Sequence, residues 1–322
     1  MILSKILFLL LFSFLIGCEE DQTYSKKIIS NHENSADGNI SNEGADLGAE
    51  PISRVNELNA DRPSSLNDEI VIPVDPVSRI QSILIKANPD YRGQGKLHEE
   101  NGEIIAAEFP NCGLRDLSPL RGLKLSALDL SGNPVRELRY LRGMPLVRLY
   151  LEFTLVESLE ELVDAQLVEL RLNGSPVESL KGLEGQPLEN LYAVGTQINN
   201  VSALSSSNLR QLWLTESPVS DLSPLAGLPL VSLTIHRTLV EDLSFVRKLP
   251  LIQRLHIGET LISDLTPLRG LNLTRLVFTP SRIEKGMAIV EGLSNLKEIG
   301  TQFDDQGKDL MPPDAFWAQF QP

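Results

Sequence analysis

The sequence predicts an α/β repeat solenoid, with short parallel strands along a concave face and 3₁₀ or irregular turns along a convex one. Three observations predict it. A unit of 21 residues recurs nine times between Ile104 and Ile283, starting at Ile104, Leu125, Leu146, Leu167, Leu188, Leu209, Leu230, Ile252 and Leu273, with one inserted residue just before Ile252. Within a unit the apolar positions are 1, 4, 6, 11, 14, 17 and 20, as in Leu209, Leu212, Leu214, Val219, Leu222, Leu225 and Leu228. Position 9 is small and polar in every copy. A fixed period of this length marks stacked units, none of which can bury its own apolar edge alone.

Within a unit, positions 4 and 6 alternate as in a short strand, whereas 14, 17 and 20 recur every third residue, the spacing at which side chains of a 3₁₀ turn eclipse. Ser118-Pro119, Ser223-Pro224 and Thr266-Pro267 open that turn with a hydroxyl and a proline, the pairing expected of a cap followed by the first helical position. Position 9 runs Cys112, Asn133, Thr154, Ser175, Thr196, Ser217, Thr238, Thr260 and Ser281. Where the strand bends toward the convex side, backbone groups point inward and must be paired, so this row is expected to be a structural ladder bonding the next unit's backbone. A row of nucleophiles is excluded because no base accompanies any of them.

Both ends of such an array need covers. Asp75-Pro76 can start a helix carrying Val77, Ile80, Ile83 and Leu84 on one side, and Asn101-Gly102 is a hairpin signal, so residues 76–103 are read as an N-terminal cap and 104–283 as the array. Residues 284–322 are read as a helical C-terminal cap, with Met287, Val290, Leu293 and Leu296 on one helical face. The aromatic cluster Phe316, Trp317 and Phe320 is expected to bury against the last unit rather than to bind a partner.

At the other end, Lys5 precedes an apolar run from Ile6 to Ile16, broken only by Ser13 and ending in Leu15-Ile16-Gly17-Cys18. The run is too short to cross a bilayer as a mature helix. It resembles the lipobox of bacterial lipoprotein signal peptides, which implies that residues 1–17 are removed and that Cys18 is acylated; the alternative is an ordinary secretory peptide with a stray cysteine. Residues 18–75 read as a disordered tether: positions 19–75 carry 13 acidic and 4 basic residues, a large part of the chain's net −14. Such a segment reaches ~40 Å, and Glu19, Glu20 and Asp21 look like the surface-export signals of some bacterial lipoproteins. Cys18 and Cys112, the chain's 2 cysteines, lie on either side of the tether, so no disulfide is expected. The acidity opposes binding to nucleic acid.

The chain resembles the leucine-rich repeat family. More narrowly, Asp116-Leu117-Ser118-Pro119-Leu120, Gly143-Met144-Pro145-Leu146 and Asp221-Leu222-Ser223-Pro224-Leu225 look like the repeat arrays attached to serine/threonine kinases of planctomycete-type bacteria. The flanks share the likeness: Asn88-Pro89-Asp90-Tyr91 and Glu100-Asn101-Gly102 before the array, and Leu296-Lys297-Glu298-Ile299-Gly300, Pro312-Pro313 and Phe316-Trp317 after it. The kinase itself is missing, with no glycine-rich nucleotide loop, His-Arg-Asp or Asp-Phe-Gly. The same Asp-Leu-Ser-Pro-Leu segments resemble internalin-type adhesins.

Positions 3, 5 and 7 face the concave side, because 4 and 6 point into the core. Position 5 runs Glu108, Asp129, Tyr150, Arg171, Tyr192, Trp213, Thr234, His256 and Val277, a row ~40 Å long at the ~4.8 Å spacing of parallel strands. Tyr150, Arg171, Tyr192 and Trp213 stand together at its centre, flanked by Arg148 and Gln211 at position 3 and by His236 at position 7. Tyr, Trp and Arg most often anchor interfaces, and rings also suit glycan faces, so the expected partner is a protein or a polysaccharide. The competing reading is an internal stack with Arg171 packed between two tyrosines.

Catalysis is the rival class and finds little support. His236 and His256 fall on neighbouring strands and could share a metal, yet Glu259 sits at position 8 and Glu216 two strands away, leaving no evident third ligand. The expectation is thus a monomeric, lipid-anchored scaffold of the bacterial cell envelope, at the outer membrane or cell surface, with no cofactor, metal or enzymatic activity. An internalin-like surface adhesin is the alternative.

Overall fold

The computed structural model describes residues 75–302 and 309–320; Cys18 and the tether lie outside them. The period-2 alternation becomes a three-residue strand in the second to ninth units and a longer one in the first. After the hairpin β1 (Lys96–Glu100) and β2 (Glu103–Glu108) come β3 (Ala127–Asp129), β4 (Arg148–Tyr150), β5 (Glu169–Arg171), β6 (Asn190–Tyr192), β7 (Gln211–Trp213), β8 (Ser232–Thr234), β9 (Arg254–His256), β10 (Arg275–Val277) and β11 (Glu298–Gly300). They form one sheet of 11 strands in chain order, antiparallel between β1 and β2 and parallel from there on. Equivalent positions pair with one another, so Leu128, Leu149, Leu170, Leu191, Leu212, Leu233, Leu255 and Leu276 line up on the inner side, and each is at most 2% exposed. Together with positions 6, 11, 14, 17 and 20 they make one continuous core.

The convex side is built of 3₁₀ turns at Ser118–Leu120, Arg139–Leu141, Glu160–Leu162, Ser202–Leu204, Ser223–Leu225, Ser244–Lys248 and Thr266–Leu268. Their caps differ from the sequence expectation. The hydroxyl residue is already the first residue of the turn, and the residue before it makes no side-chain cap bond. The cap comes from the carboxylate two residues upstream: Asp116, Asp221, Asp242 and Asp264 accept the backbone N–H of Ser118, Ser223, Ser244 and Thr266 at 2.7 to 2.8 Å. A carboxylate accepts a charge-assisted bond that a hydroxyl cannot match. Hydrogen bonding accordingly holds the Asp221 and Asp264 carboxyls below their usual pKa. The inserted residue lies after Leu249, in the short turn Pro250–Leu251 that leads into β9, and the 3₁₀ turn just before it, Ser244–Lys248, spans five residues instead of three. The ladder absorbs it without slipping, for Ser232 still pairs with Arg254.

Helix α1 (Pro76–Ala87) starts where Asp75 accepts the Ser78 N–H at 2.8 Å. It buries Leu84 and leaves Ile83 40% exposed. Asn88 ties it to the array: its side-chain oxygen accepts the N–H groups of Arg115 and Asp116 at 2.8 Å, and its amide donates to the Asp116 carbonyl at 3.0 Å. Between β1 and β2, Asn101 and Gly102 both take positive φ, 55° and 80°, as a two-residue hairpin turn requires.

Beyond Ile283 the helical face anticipated from Met287 to Leu296 is cut short. Helix α2 spans Met287–Glu291 only, and Leu296 opens a further rung, β11, which pairs with β10 in register. Threefold spacing there is again a tight-turn pattern. Two bonds of 2.9 Å between the backbones of Ile299 and Met311 then cover the sheet edge. Helix α3 (Pro313–Gln319) follows, and Phe316, fully buried, sits 5.9 Å from Phe278, with Trp317 and Phe320 at 5.0 and 4.5 Å.

Candidate binding surface

The ladder row frames the surface from beneath. Cys112, Asn133, Thr154, Ser175, Thr196, Ser217, Thr238 and Thr260 are buried, each at most 3% exposed. Ser281 is not among them; it lies exposed in the turn Pro280–Arg282. The hydroxyls bond within their own unit rather than to the next one. Those of Thr154, Ser175, Thr196, Ser217, Thr238 and Thr260 donate to the carbonyl three residues back at 2.6 to 3.0 Å. Only the longer side chain of Asn133 crosses between rungs in this row. Its amide donates to the carbonyl of Phe109 at 2.6 Å and to that of Leu130 at 2.8 Å, while its oxygen accepts the Leu114 N–H at 2.8 Å. Cys112 donates to the Pro110 carbonyl at 3.5 Å.

On the outward side, strands β4 to β7 bring Tyr150, Arg171, Tyr192 and Trp213 side by side. The Arg171 guanidinium carbon sits 4.7 Å from the Tyr150 ring and 5.2 Å from the Tyr192 ring. Tyr192 meets Trp213 edge to face at 5.5 Å and donates to Gln211 at 3.0 Å. Arg171 also donates to Glu169 at 2.9 Å. All four are half-buried. Burial pushes the Tyr150 hydroxyl up to about 12, with Glu169 adding to the effect. Burial alone would lower the Arg171 pKa, but Glu169 and Tyr150 outweigh it and hold the guanidinium above its usual value. Every group in the stack therefore keeps one charge state across the physiological range. The stack is both internal, as the competing reading had it, and outward-facing, since positions 4 and 6 of these strands hold the core.

Arg148, beside the Tyr150 hydroxyl, and Gln211 are half-buried next to the stack. His236 follows β8, one rung beyond Trp213, and His256 lies on β9, two strands beyond it. His236 is 3% exposed and 3.5 Å from Glu259; burial lowers its pKa. Burial, aided by Arg275 and Arg254, pushes His256 down to about 4. The carboxylates that a shared metal would need are engaged elsewhere: Arg237 bridges Glu216 at 2.9 Å and Glu259 at 2.8 Å. Among the described residues no group of three histidines, cysteines or carboxylates is placed to hold a metal.

One feature of this surface escaped the sequence reading. Position 8 is left-handed in eight successive units, with φ between 53° and 68° at Asn111, Gly132, Phe153, Gly174, Gly195, Glu216, Arg237 and Glu259. Glycine at three of these positions was the available signal; the charged and aromatic residues at the others masked it.

No family model matches the chain, and no curated protein does. Solved structures match. Internalin C2 of Listeria monocytogenes is 25% identical with a TM-score of 0.55, the match covering 64% of this chain and 93% of the internalin. The internalin InlF of the same species, 20% identical with a TM-score of 0.50, is matched over 70% of this chain and 80% of its own. The fold is the leucine-rich repeat solenoid. In these leucine-rich repeats the short parallel strands make one face and the 3₁₀ turns the other, so the Tyr150 to Trp213 stack lies at the middle of the concave sheet.

Proposed function

We propose that this leucine-rich repeat protein is a recognition scaffold of the bacterial cell envelope, anchored outside the cytoplasm by acylated Cys18 and reading a protein ligand with its concave face. One observation carries the reading: the stack of Tyr150, Arg171, Tyr192 and Trp213 on four consecutive strands. These residue types dominate association energies when desolvated near the centre of an interface. Holding them in place before the ligand arrives lowers the entropy lost on binding. Arg148, Gln211 and His256 would form the polar surround, with buried His236 beneath it. The same rings would serve a polysaccharide, and the fold likeness to two internalins supports the alternative of an internalin-like surface adhesin.

The test is affinity capture from envelope extracts with the full chain, followed by titration of the captured protein. Tyr192→Ala combined with Trp213→Ala is expected to weaken binding by at least ~2 kcal/mol, about thirtyfold. Arg247→Ala with Lys248→Ala, in the convex turn Ser244–Lys248, should bind as wild type. The reverse pattern would place recognition on the convex side and defeat the proposal.

A further inference from the structure

Within the Tyr150 to Trp213 stack the polar groups are matched to one another, Arg171 with Glu169 and Tyr192 with Gln211. Strands β8 and β9 are different. Arg254 is half-buried, yet it makes no hydrogen bond or ion pair with any described residue. Its cross-strand neighbours at the same position are Ser232 on β8 and Arg275 on β10. Arg275 takes Glu298 at 2.7 Å, and the rim carboxylates Glu216 and Glu259 are held by Arg237. Two arginines in register thus share one carboxylate, and like charges directly opposite one another cost stability.

The strand beside Arg254 adds hydroxyls without partners. The outward residues of β4 to β7 are half-buried, whereas β8 is buried along its whole length. Its outward side chains, Ser232 and Thr234, are small, and Thr234 stands between the much larger Trp213 and His256. They floor a slot one strand wide. Ser232 is 8% and Thr234 1% exposed, but neither hydroxyl bonds to a described residue. Thr215, two residues past Trp213, is 3% exposed, and its hydroxyl is also without a partner. The ladder threonines show the contrast, since Thr154, Thr196, Thr238 and Thr260 all bond a carbonyl of their own unit. Buried hydroxyls left unpaired beside an unpaired guanidinium point to a group that arrives from outside.

The charge around the slot selects that group. Burial, aided by Arg275 and Arg254, holds His256 down to about 4, so a further cation is disfavoured here and an anion favoured. A carboxylate has acceptor sites enough for the guanidinium fork and the hydroxyls together. Toward the other end of the same row stand Glu108 and Asp129, which steer an acidic group away from there and toward β8 and β9.

We propose that Arg254, Ser232 and Thr234 form a receptor for the side-chain carboxylate of an aspartate or glutamate in an extended segment of the protein ligand, seated between Trp213 and His256. The inference rests on concave-face recognition and names the chemistry read by the C-terminal third of the sheet. The probe is a random dodecapeptide display library selected on the full chain. Recovered peptides are titrated with amidated C-termini, so that side chains supply their only carboxylates. Peptides carrying an acidic residue are expected to dominate, and changing that residue to its amide should weaken binding at least tenfold. Arg254→Gln should weaken the parent peptides by as much and bind acid and amide forms alike, while Arg254→Lys retains part of the discrimination. Because Arg254 has no partner in the fold, Arg254→Gln should melt at the wild-type temperature or a few degrees above it.

A selection without acidic peptides, or amide peptides that bind as tightly as their parents, would overturn the proposal. So would an Arg254→Gln protein that still prefers the acid form, or one that melts several degrees below wild type, which would show the guanidinium to be structural. The two readings fail separately. If Tyr192→Ala with Trp213→Ala abolishes binding and Arg254→Gln leaves it intact, the concave site survives and the carboxylate receptor does not; if neither changes binding, the concave site itself is wrong.

Discussion

Replacing Asn133 with Thr tests the one place where the buried ladder crosses between units. The new hydroxyl can keep the bond within its own unit, as Thr154 does to Leu151 at 2.7 Å, so the loss is confined to the previous rung. Two partners disappear there: the Phe109 carbonyl, 2.6 Å from the amide, and the Leu114 N–H, 2.8 Å from the oxygen. Each buried backbone group left unpaired costs ~1–3 kcal/mol, so the substitution should destabilise by ~2–6 kcal/mol. In a solenoid the cost falls on the nearest interface. Hydrogen exchange followed by mass spectrometry should show faster exchange in residues 104–124, with 167–300 unchanged. Thr196→Val supplies the comparison. It removes a single bond, to the Ala193 carbonyl at 3.0 Å within its own rung, so its cost should be ~1–3 kcal/mol and spread to both neighbours alike. An Asn133→Thr protein that melts and exchanges like wild type, or that loses no more than Thr196→Val does, would refute the argument that side-chain bonds between rungs hold the first two units together.

Three further outcomes are expected. His256 has a folded pKa near 4 against ~6.5 unfolded, so the unfolded chain binds the proton first and stability is lost as pH falls from about 6.5 toward 4; His256→Gln should flatten a urea-unfolding profile over that window by at most ~3 kcal/mol, and equal slopes would show that the side chain is not desolvated. Phe316→Ala removes a fully buried ring 5.9 Å from that of Phe278 and should cost ~3–5 kcal/mol, read as early loss of protection around β10 and β11; normal protection there would mean that α3 does not cover the array. Cys18→Ala should leave the precursor uncleaved and shift the protein from the detergent to the aqueous phase, whereas a processed, membrane-bound product would defeat the acylation reading.

The strands, the inner leucines and the convex turns were legible because burial writes them directly into the spacing of apolar residues, as in Leu209, Leu212 and Leu214. Backbone conformation leaves a weaker trace. At position 8 the left-handed turn shows in the sequence only where Gly132, Gly174 or Gly195 fills it, and Phe153, Glu216, Arg237 and Glu259 hide it, since their side chains have reasons of their own. The turn caps misled for a related reason: Asp116 and Ser118 are both capping types, and which one bonds the N–H depends on where the turn begins. The last strand was missed because Leu296 fits a helical spacing as well as the first position of a rung, and its pairing with β10 settles the matter only in three dimensions. For the concave stack, residue identity and alignment were readable, but the packing of Arg171 between two tyrosines, which decides how rigid the surface is, required the fold.

The inserted residue before Ile252 bears on how such a surface can change. The array takes up the extra length in the short turn Pro250–Leu251 between the convex side and β9, and Ser232, Leu233 and Thr234 pair with Arg254, Leu255 and His256 as though nothing had been added. Length is thereby decoupled from register. Convex turns can grow, shrink or accept grafted loops while the concave side chains keep their spacing of one strand, so the two faces are free to diverge independently, one by insertion and the other by substitution.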